Sequence, residues 1–184
     1  MKNRVLLFLV VLCLVIAGGW YWLRGKDFTV RISQRQVDEA LAERFPMQRT
    51  HLMIFDLTYE NPVAELLEGE DRVRVGMDAR LTIGLGGERR TFSGGATVTT
   101  SVRYEPETFS FFLSDVEMER LAIDGIPSQY TDPAGRLALL AARESIEEIR
   151  VYQIQGVDAK TRAAKMILKN IQVKDQSIRI TLGL

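Results

Sequence analysis

Residues 72–85 read RVRVGMDARLTIGL, and every second side chain in this segment is apolar. The apolar residues occupy the odd positions from Val73 to Leu85, while the even positions carry Arg, Gly, Asp and Thr. Alternation with a period of two predicts a β-strand that is buried on one face. At about 3.3 Å per residue such a strand would run about 40 Å, much longer than the usual five or six residues.

The residues that follow predict two further long strands. The glycine-rich segment GLGGERR, residues 84–90, supplies the turn, and five apolar residues from Phe92 to Tyr104 then share one parity. A third strand follows in TFSFFLSDVEMERLAIDGIP, residues 108–127. The parity of its apolar residues changes near Ser114 and Asp115, which predicts a bulge or a bend. Long antiparallel strands of this kind predict a strongly twisted sheet that curls.

Two segments have the period of a helix. In SQRQVDEALAERFP, residues 33–46, Ser33 and Gln36 have the spacing of a capping box and Pro46 stops the helix. The segment TDPAGRLALLAARESIEEIRVYQI, residues 131–154, predicts a longer helix that starts at Asp132 and Pro133. Its expected apolar stripe, which would fill the concave side of the sheet, consists of Leu137, Leu139, Leu140, Ala142, Ile146 and Ile149.

The remaining segments complete a predicted α+β fold. A short strand is expected at residues 28–32, a short helix in DAKTRAAKMILKN at 158–170, and a closing hairpin in IQVKDQSIRITL at 171–182. The prediction is a long, highly curved antiparallel β-sheet wrapped around a C-terminal α-helix, preceded by an N-terminal transmembrane helix or signal segment. We expect an anchor or signal at residues 1–26 and one domain at residues 27–184.

The N-terminal segment predicts a membrane anchor. An uncharged run extends from Val5 to Leu23, close to the roughly 20 residues that a helix needs to cross a bilayer. It ends in Trp20, Tyr21 and Trp22, whose rings suit the headgroup zone, and basic residues follow. The alternative is a signal peptide cleaved after Ala17 or Gly19.

Lipid attachment at the single cysteine, Cys13, is a third option for this segment. It would need small residues before the cysteine, whereas Val10, Val11 and Leu12 precede it. Lipidation is therefore the least favoured of the three, and both of the other options place the domain outside the cytoplasm.

The composition argues against several classes of function. Lys and Arg together number 24, as do Asp and Glu, so no basic excess indicates a nucleic-acid partner. One cysteine excludes an internal disulfide, and the single histidine, His51, fits an ordinary strand position. The carboxylates of Asp115, Glu117 and Glu119 alternate along a strand and fit a solvated face. We therefore expect no catalytic residue, no metal and no cofactor, and hence not an enzyme.

The order of these segments resembles the YceB-like family of bacterial envelope proteins, which are usually lipoproteins. The similar stretches are FTVRISQRQVDEALAERF, VRVGMDARLTIGL, FSFFLSDVEME and AAKMILKNIQVKDQSIRITL. The resemblance implies a fold akin to one half of the tubular lipid-binding proteins, with an apolar groove between a curved sheet and a helix. This chain departs from the family because no cysteine stands where a lipid would be attached.

From the strands and the resemblance we expect a domain that binds a hydrophobic or lipid-like ligand between sheet and helix. It would face the periplasm from a single-pass anchor in the bacterial inner membrane, or lie free in the periplasm after signal cleavage. The alternative is an envelope scaffold that binds a protein partner through sheet edges or the helix near residues 34–45. The expected ligand contacts are Val75, Met77, Leu81, Val98, Phe111, Leu140 and Ile146.

Overall fold

A computed structural model describes residues 27–51, 55–85, 88–155 and 167–183, which form nine strands and two helices. In chain order the elements are β1 Asp27–Ser33, α1 Gln34–Ala42, β2 Met47–His51, β3 Phe55–Leu67, β4 Arg72–Leu85, β5 Glu88–Glu105, β6 Ser110–Ile123, α2 Ser128–Ile146, β7 Arg150–Gln153, β8 Ile167–Lys174 and β9 Ser177–Gly183.

Six strands form a large, curled antiparallel sheet in the order β2-β3-β4-β5-β6-β7. Its longest ladder joins β4 to β5 without a break from Val73 opposite Thr100 to Leu85 opposite Glu88. The odd residues of β4 from Val73 to Ile83 are buried, so the predicted one-sided strand is confirmed. We call the face that carries these residues the inner face.

Bulges allow the long strands to bend. The register between β5 and β6 shifts close to Ser114 and Asp115, and Asp115 has a φ of 52°, so the predicted irregularity is confirmed. A second shift lies in β3 after Glu60, where Asn61 has a φ of 50°. Before this bulge odd residues such as Tyr59 are buried, and after it even residues such as Ala64 are buried. Because the bulge changes the parity, β3 has no simple alternation in the sequence.

A small antiparallel sheet, in the order β1-β9-β8, docks on one end of the large sheet. The turn between β3 and β4 provides the contact, since a carboxylate oxygen of Asp71 accepts a hydrogen bond of 2.9 Å from the backbone N–H of Val173. Nearby, the backbone N–H of Gln34 donates to the carbonyl oxygen of Gln176 at 3.3 Å. We call this the docked end of the small sheet. The opposite end, at Asp27, Ile167 and Gly183, is called the free end.

Helix α1 begins at the predicted capping box. Ser33 accepts a hydrogen bond from the backbone N–H of Gln36, and the Gln36 side chain accepts one from the backbone N–H of Ser33. Val37 and Leu41 are buried. The Asp38 side chain accepts a hydrogen bond of 3.2 Å from the backbone N–H of Ala64, so α1 also protects an edge of β3 that β2 does not reach.

Helix α2 begins and ends earlier than predicted. It starts at Ser128 rather than at Asp132, because the carbonyl of Pro127 already accepts a hydrogen bond of 2.9 Å from Tyr130. It ends at Ile146, and Ile149 lies in the following turn, where its carbonyl accepts a hydrogen bond from Leu113 of β6.

The predicted fold class, an α+β sheet wrapped around a C-terminal helix, is wrong. Strands make up 63% of the described residues and helices 20%, and three strands follow α2. The physical reason is strand pairing, because β9 bonds to β1 on one side and to β8 on the other and so places a strand near the C-terminus.

The C-terminal segments are partly confirmed. The hairpin predicted at residues 171–182 is present as β8 and β9, whereas residues 167–170 of the predicted short helix belong to β8. The rest of that helix and the N-terminal segment, residues 1–26, lie outside the described residues. Neither described helix combines the length and the apolar character needed to cross a membrane.

Candidate functional site

The inner face of the large sheet is an apolar wall. Val75 and Met77 of β4 are almost completely buried, as are Leu81 of the same strand, Val98 of β5 and Phe111 of β6. The ladders that join β4, β5 and β6 place these side chains on one face, because residues two apart on a regular strand point the same way. The five predicted ligand contacts on the strands therefore meet in one apolar cluster.

Helix α2 lies against this wall mainly through alanine. Its buried residues are Ala134, Ala138, Ala141, Ala142, Ser145 and Ile146. Of the two predicted contacts on α2, Ile146 joins the cluster, whereas Leu140 is 45% exposed on the other side of the helix. The expected stripe is thus rotated, because small side chains let the helix backbone pack closely on the large side chains of the sheet.

Polar contacts fix α2 in this position. The hydroxyl of Tyr59 donates a hydrogen bond of 2.7 Å to the carbonyl oxygen of Ala138. Arg143 Nε donates to the carbonyl oxygen of Val116 at 3.0 Å, and the backbone N–H of Val116 donates to Glu147 at 3.4 Å. Burial raises the pKa of Tyr59 far above its ordinary value, so its hydroxyl remains a donor into the alkaline range.

Two buried hydroxyls at the inner face have no hydrogen-bond partner among the described residues. They belong to Tyr104 of β5 and Ser145 of α2, and both residues are less than one-tenth exposed. The ring of Tyr104 stacks on Phe111 with 4.9 Å between centroids. Burial, with a smaller contribution from the negative charge of Glu107, raises the pKa of Tyr104. Each hydroxyl could bond to a polar group of a ligand or to a buried water.

Sequence reasoning missed three polar residues of this site, Tyr59, Tyr104 and Ser145. Tyr104 shares the parity of the apolar residues of β5, and a hydroxyl-bearing ring at such a position is the signal that could have identified it. Tyr59 lies in β3, where the bulge interrupts the alternation of apolar residues. Whether Ser145 is buried depends on the orientation of α2, which the sequence does not specify.

The outer face of the large sheet is polar and solvated. Exposed ion pairs cross it, such as Arg72 with Glu117 at 2.8 Å and Arg74 with Glu119 at 2.9 Å, as the alternating carboxylates predicted. It also carries an open depression of about 400 Å³. Residues that line the depression include Asn61, Val63, Gly76, Asp78, Gly95 and Arg120. Its polar, open character suits solvent better than an apolar ligand.

Fold and site define a class: a mostly β domain whose curled antiparallel sheet holds an apolar inner face beneath a short helix. The chain belongs to the family described as "Protein of unknown function (DUF1439)", whose model matches residues 32–177. The description of this family does not include the YceB-like name, so the YceB-like resemblance stays a prediction. No curated protein matches the chain.

Among solved structures, the chain has a likeness to one titled "Crystal structure of lipopolysaccharide binding protein". The identity is 13% and the TM-score is 0.30, over 84% of this chain and 48% of the other. The chain thus spans about half the length of that protein. A TM-score of this size does not establish a common fold, so what that protein binds is not carried over to this chain.

Proposed function

We propose that this chain is a membrane-anchored periplasmic domain that binds a hydrophobic or lipid-like ligand between the inner face and α2. The observation that carries the proposal is the difference in side-chain size between the two surfaces, since large apolar side chains of the sheet share one core with a helix that faces them with alanine. An alanine removes much less apolar area from water than a leucine or a phenylalanine does. An acyl chain could therefore replace the helix against the wall at a moderate cost in free energy.

The ligand would enter when α2 moves away from the sheet. It would then contact Val75, Met77, Leu81, Val98 and Phe111 on the wall and Ile146 on the helix. The exposed side chain of Leu140 provides apolar surface on the outer side of α2, which supports entry of the ligand along that side of the helix. Aliphatic and aromatic side chains dominate this wall, which supports binding rather than catalysis.

The unpaired hydroxyls of Tyr104 and Ser145 support a ligand with a polar group. Buried hydroxyls in proteins almost always have a partner, and a ligand that carries a carbonyl, phosphate or hydroxyl group could supply one. The anchor and the periplasmic location rest on the uncharged run from Val5 to Leu23, and a cleaved signal is the alternative.

Native mass spectrometry of the full chain extracted in mild detergent tests the proposal. We expect a bound lipid that is lost when Ala142→Leu enlarges the closely packed alanine face of α2 and retained when Val63→Leu changes the outer face. Lipid that merely surrounds the anchor would accompany both variants equally. Repeated detection of a lipid-free wild-type chain, or of the same adduct on both variants, would overturn the proposal.

A second candidate is an envelope scaffold with a protein partner and no ligand. It is favoured by the closed inner face, where every predicted wall residue is almost completely buried. Val37 and Leu41 of α1 are buried as well, so a partner would bind sheet edges rather than this helix. Recurrent cross-linking of one protein in intact cells, together with a lipid-free chain, is the outcome that would select this function.

A further inference from the structure

We propose that the free end of the small sheet rests on the surface of the bilayer. Three large apolar side chains are exposed there: Phe28 of β1 at 49%, and Ile167 and Leu168 of β8 at 65% and 37%. Phe28 and Leu168 flank Leu182 of β9 in one cross-strand row. Ile167 pairs with Gly183, so it points to the other face of the sheet at the same end. Exposed apolar residues gathered at one place mark an interaction surface, whereas residues scattered singly do not.

The apolar side chains at the docked end of the small sheet are buried, whereas those at the free end are exposed. At the docked end Asp71 accepts a hydrogen bond from Val173 of β8, and Gln34 donates one to Gln176 in the turn between β8 and β9. The apolar residues Ile32 and Ile178 are completely buried there. Along β1 the free end lies about 20 Å from these contacts, at about 3.3 Å per residue. The apolar face of the small sheet therefore passes from buried to exposed in the direction of Asp27.

The length of the chain before β1 identifies the bilayer as the partner. The uncharged run ends at Leu23 and β1 begins at Asp27. Consecutive residues span at most about 3.6 Å, so Asp27 lies within about 14 Å of the end of the run. If that run spans the membrane, Phe28 must lie close to the headgroups. Apolar side chains of peripheral segments enter that zone by about 5–10 Å.

The residues at the end of the run support the same partner. Trp20, Tyr21 and Trp22 are typical of the headgroup zone, and Arg24 and Lys26 suit anionic lipids. The proposed contact would fix the orientation of the whole domain, because the small sheet is joined to the large one at Asp71. This inference rests on the proposed anchor and not on the presence of a ligand.

Lipid quenching of site-specific labels in the full chain tests the inference. In a Cys13→Ser background, single cysteines would replace Phe28, Ile167, Leu168 or, as the control, Val63, which is 68% exposed on the large sheet. Each variant would carry an NBD group and be reconstituted into phosphatidylethanolamine and phosphatidylglycerol vesicles. We expect acyl-brominated lipids to quench the labels at 28, 167 and 168 strongly and the label at 63 hardly at all.

The possible failures are distinguishable. Equal quenching at all four positions in an anchored chain would overturn the bilayer contact alone, and native mass spectrometry would still decide the ligand. Extraction of the chain from the vesicles by alkaline carbonate would refute the anchor and, with it, this inference. Labels at 28 and 168 that respond to protein concentration rather than to brominated lipid would identify a second copy of the chain as the partner and would also overturn it.

Discussion

The phenolic oxygen of Tyr59 lies 2.7 Å from the carbonyl oxygen of Ala138, so a side chain of β3 bonds directly to the backbone of α2. Tyr59 is only 1% exposed, and Ala138 lies in the middle of the alanine face of the helix. This hydrogen bond therefore holds α2 against the large sheet. It would have to break if α2 moved to admit a ligand.

The substitution Tyr59→Phe removes this hydrogen bond and keeps the aromatic ring. We expect the free energy of unfolding to fall by about 1 kcal/mol, the usual net value of one hydrogen bond. If α2 moves to admit a ligand, uptake of an apolar fluorescent probe should become faster. The matched control is Tyr130→Phe on the same helix, whose hydroxyl has no hydrogen bond to a described residue and whose ring packs edge-on against Phe55. Equal uptake by both variants would contradict the role of α2.

The two buried tyrosines predict a loss of stability at alkaline pH. Burial raises the pKa of Tyr59 and of Tyr104 above the ordinary value of about 10. Below that value both hydroxyls are protonated in the folded and the unfolded chain, so they cause no pH dependence. Above it the unfolded chain releases these protons while the folded chain keeps them, and unfolding becomes easier.

Denaturation midpoints measured from pH 7 to 11 test this effect. We expect little change up to pH 9, a fall above pH 10, and a shallower fall in the Tyr59→Phe, Tyr104→Phe double variant. An unchanged alkaline slope in the double variant would show that other groups cause the fall.

Much of the large sheet is predictable from the sequence, because alternation in β4 and β5 reports directly which face is buried. The bulge near Asp115 and the capping box of Ser33 were likewise readable from local patterns. The features that were not predicted depend on tertiary structure. The bulge at Asn61 conceals β3, and the pairing of β1 with β9 joins segments about 150 residues apart, a contact that no local pattern specifies.

The orientation of α2 shows the same limit within the candidate site. The leucines at 137, 139 and 140 suggested a stripe around the largest apolar residues, yet the helix buries its alanines. A periodic pattern reports that one face is apolar, and the shape of the partner surface decides which residues pack. Here β4, β5 and β6 already supply large side chains, so small residues fit opposite them.

Gly94 marks a place where β5 and β6 approach too closely for any side chain. A Cβ at this position would collide with the backbone carbonyl of Ala122 on β6. Gly94→Ala should therefore force the two strands apart and lower the free energy of unfolding by about 1–3 kcal/mol, as overpacking usually does. Gly84→Ala in β4 is the control, because no atom lies within 4 Å of the added Cβ, and its effect should stay within about 0.5 kcal/mol. Similar denaturation midpoints for the two variants would argue against this close approach.

The orientation of α2 predicts opposite sensitivities on its two sides. Ala142 is completely buried and Leu140 is 45% exposed. Ala142→Leu should cost about 1–3 kcal/mol through overpacking, whereas Leu140→Ala should change the stability by less than about 1 kcal/mol. Thermal unfolding of both variants measures this difference. A larger loss for Leu140→Ala would mean that the leucines, and not the alanines, face the sheet.

The hydroxyls of Ser145 and Thr100 are both buried but differ in their hydrogen bonding. The Thr100 hydroxyl donates to the carbonyl oxygen of Ser114 at 2.6 Å and accepts from its N–H at 3.1 Å, whereas Ser145 has no partner among the described residues. Thr100→Val removes a hydrogen-bond partner from two backbone groups of Ser114 and should cost about 1–3 kcal/mol. Ser145→Ala removes an unpaired hydroxyl, so the ligand-free chain should keep or gain stability.

The same two variants separate a ligand contact from a buried water at Ser145. If the hydroxyl bonds to the polar group of a ligand, Ser145→Ala should reduce the bound lipid seen by native mass spectrometry, while Thr100→Val should leave its amount per folded chain unchanged. If a fixed water satisfies the hydroxyl instead, Ser145→Ala would destabilise the lipid-free chain as Thr100→Val does, because that water would lose a partner. That result would remove Ser145 from the proposed site and leave the apolar wall alone to explain binding.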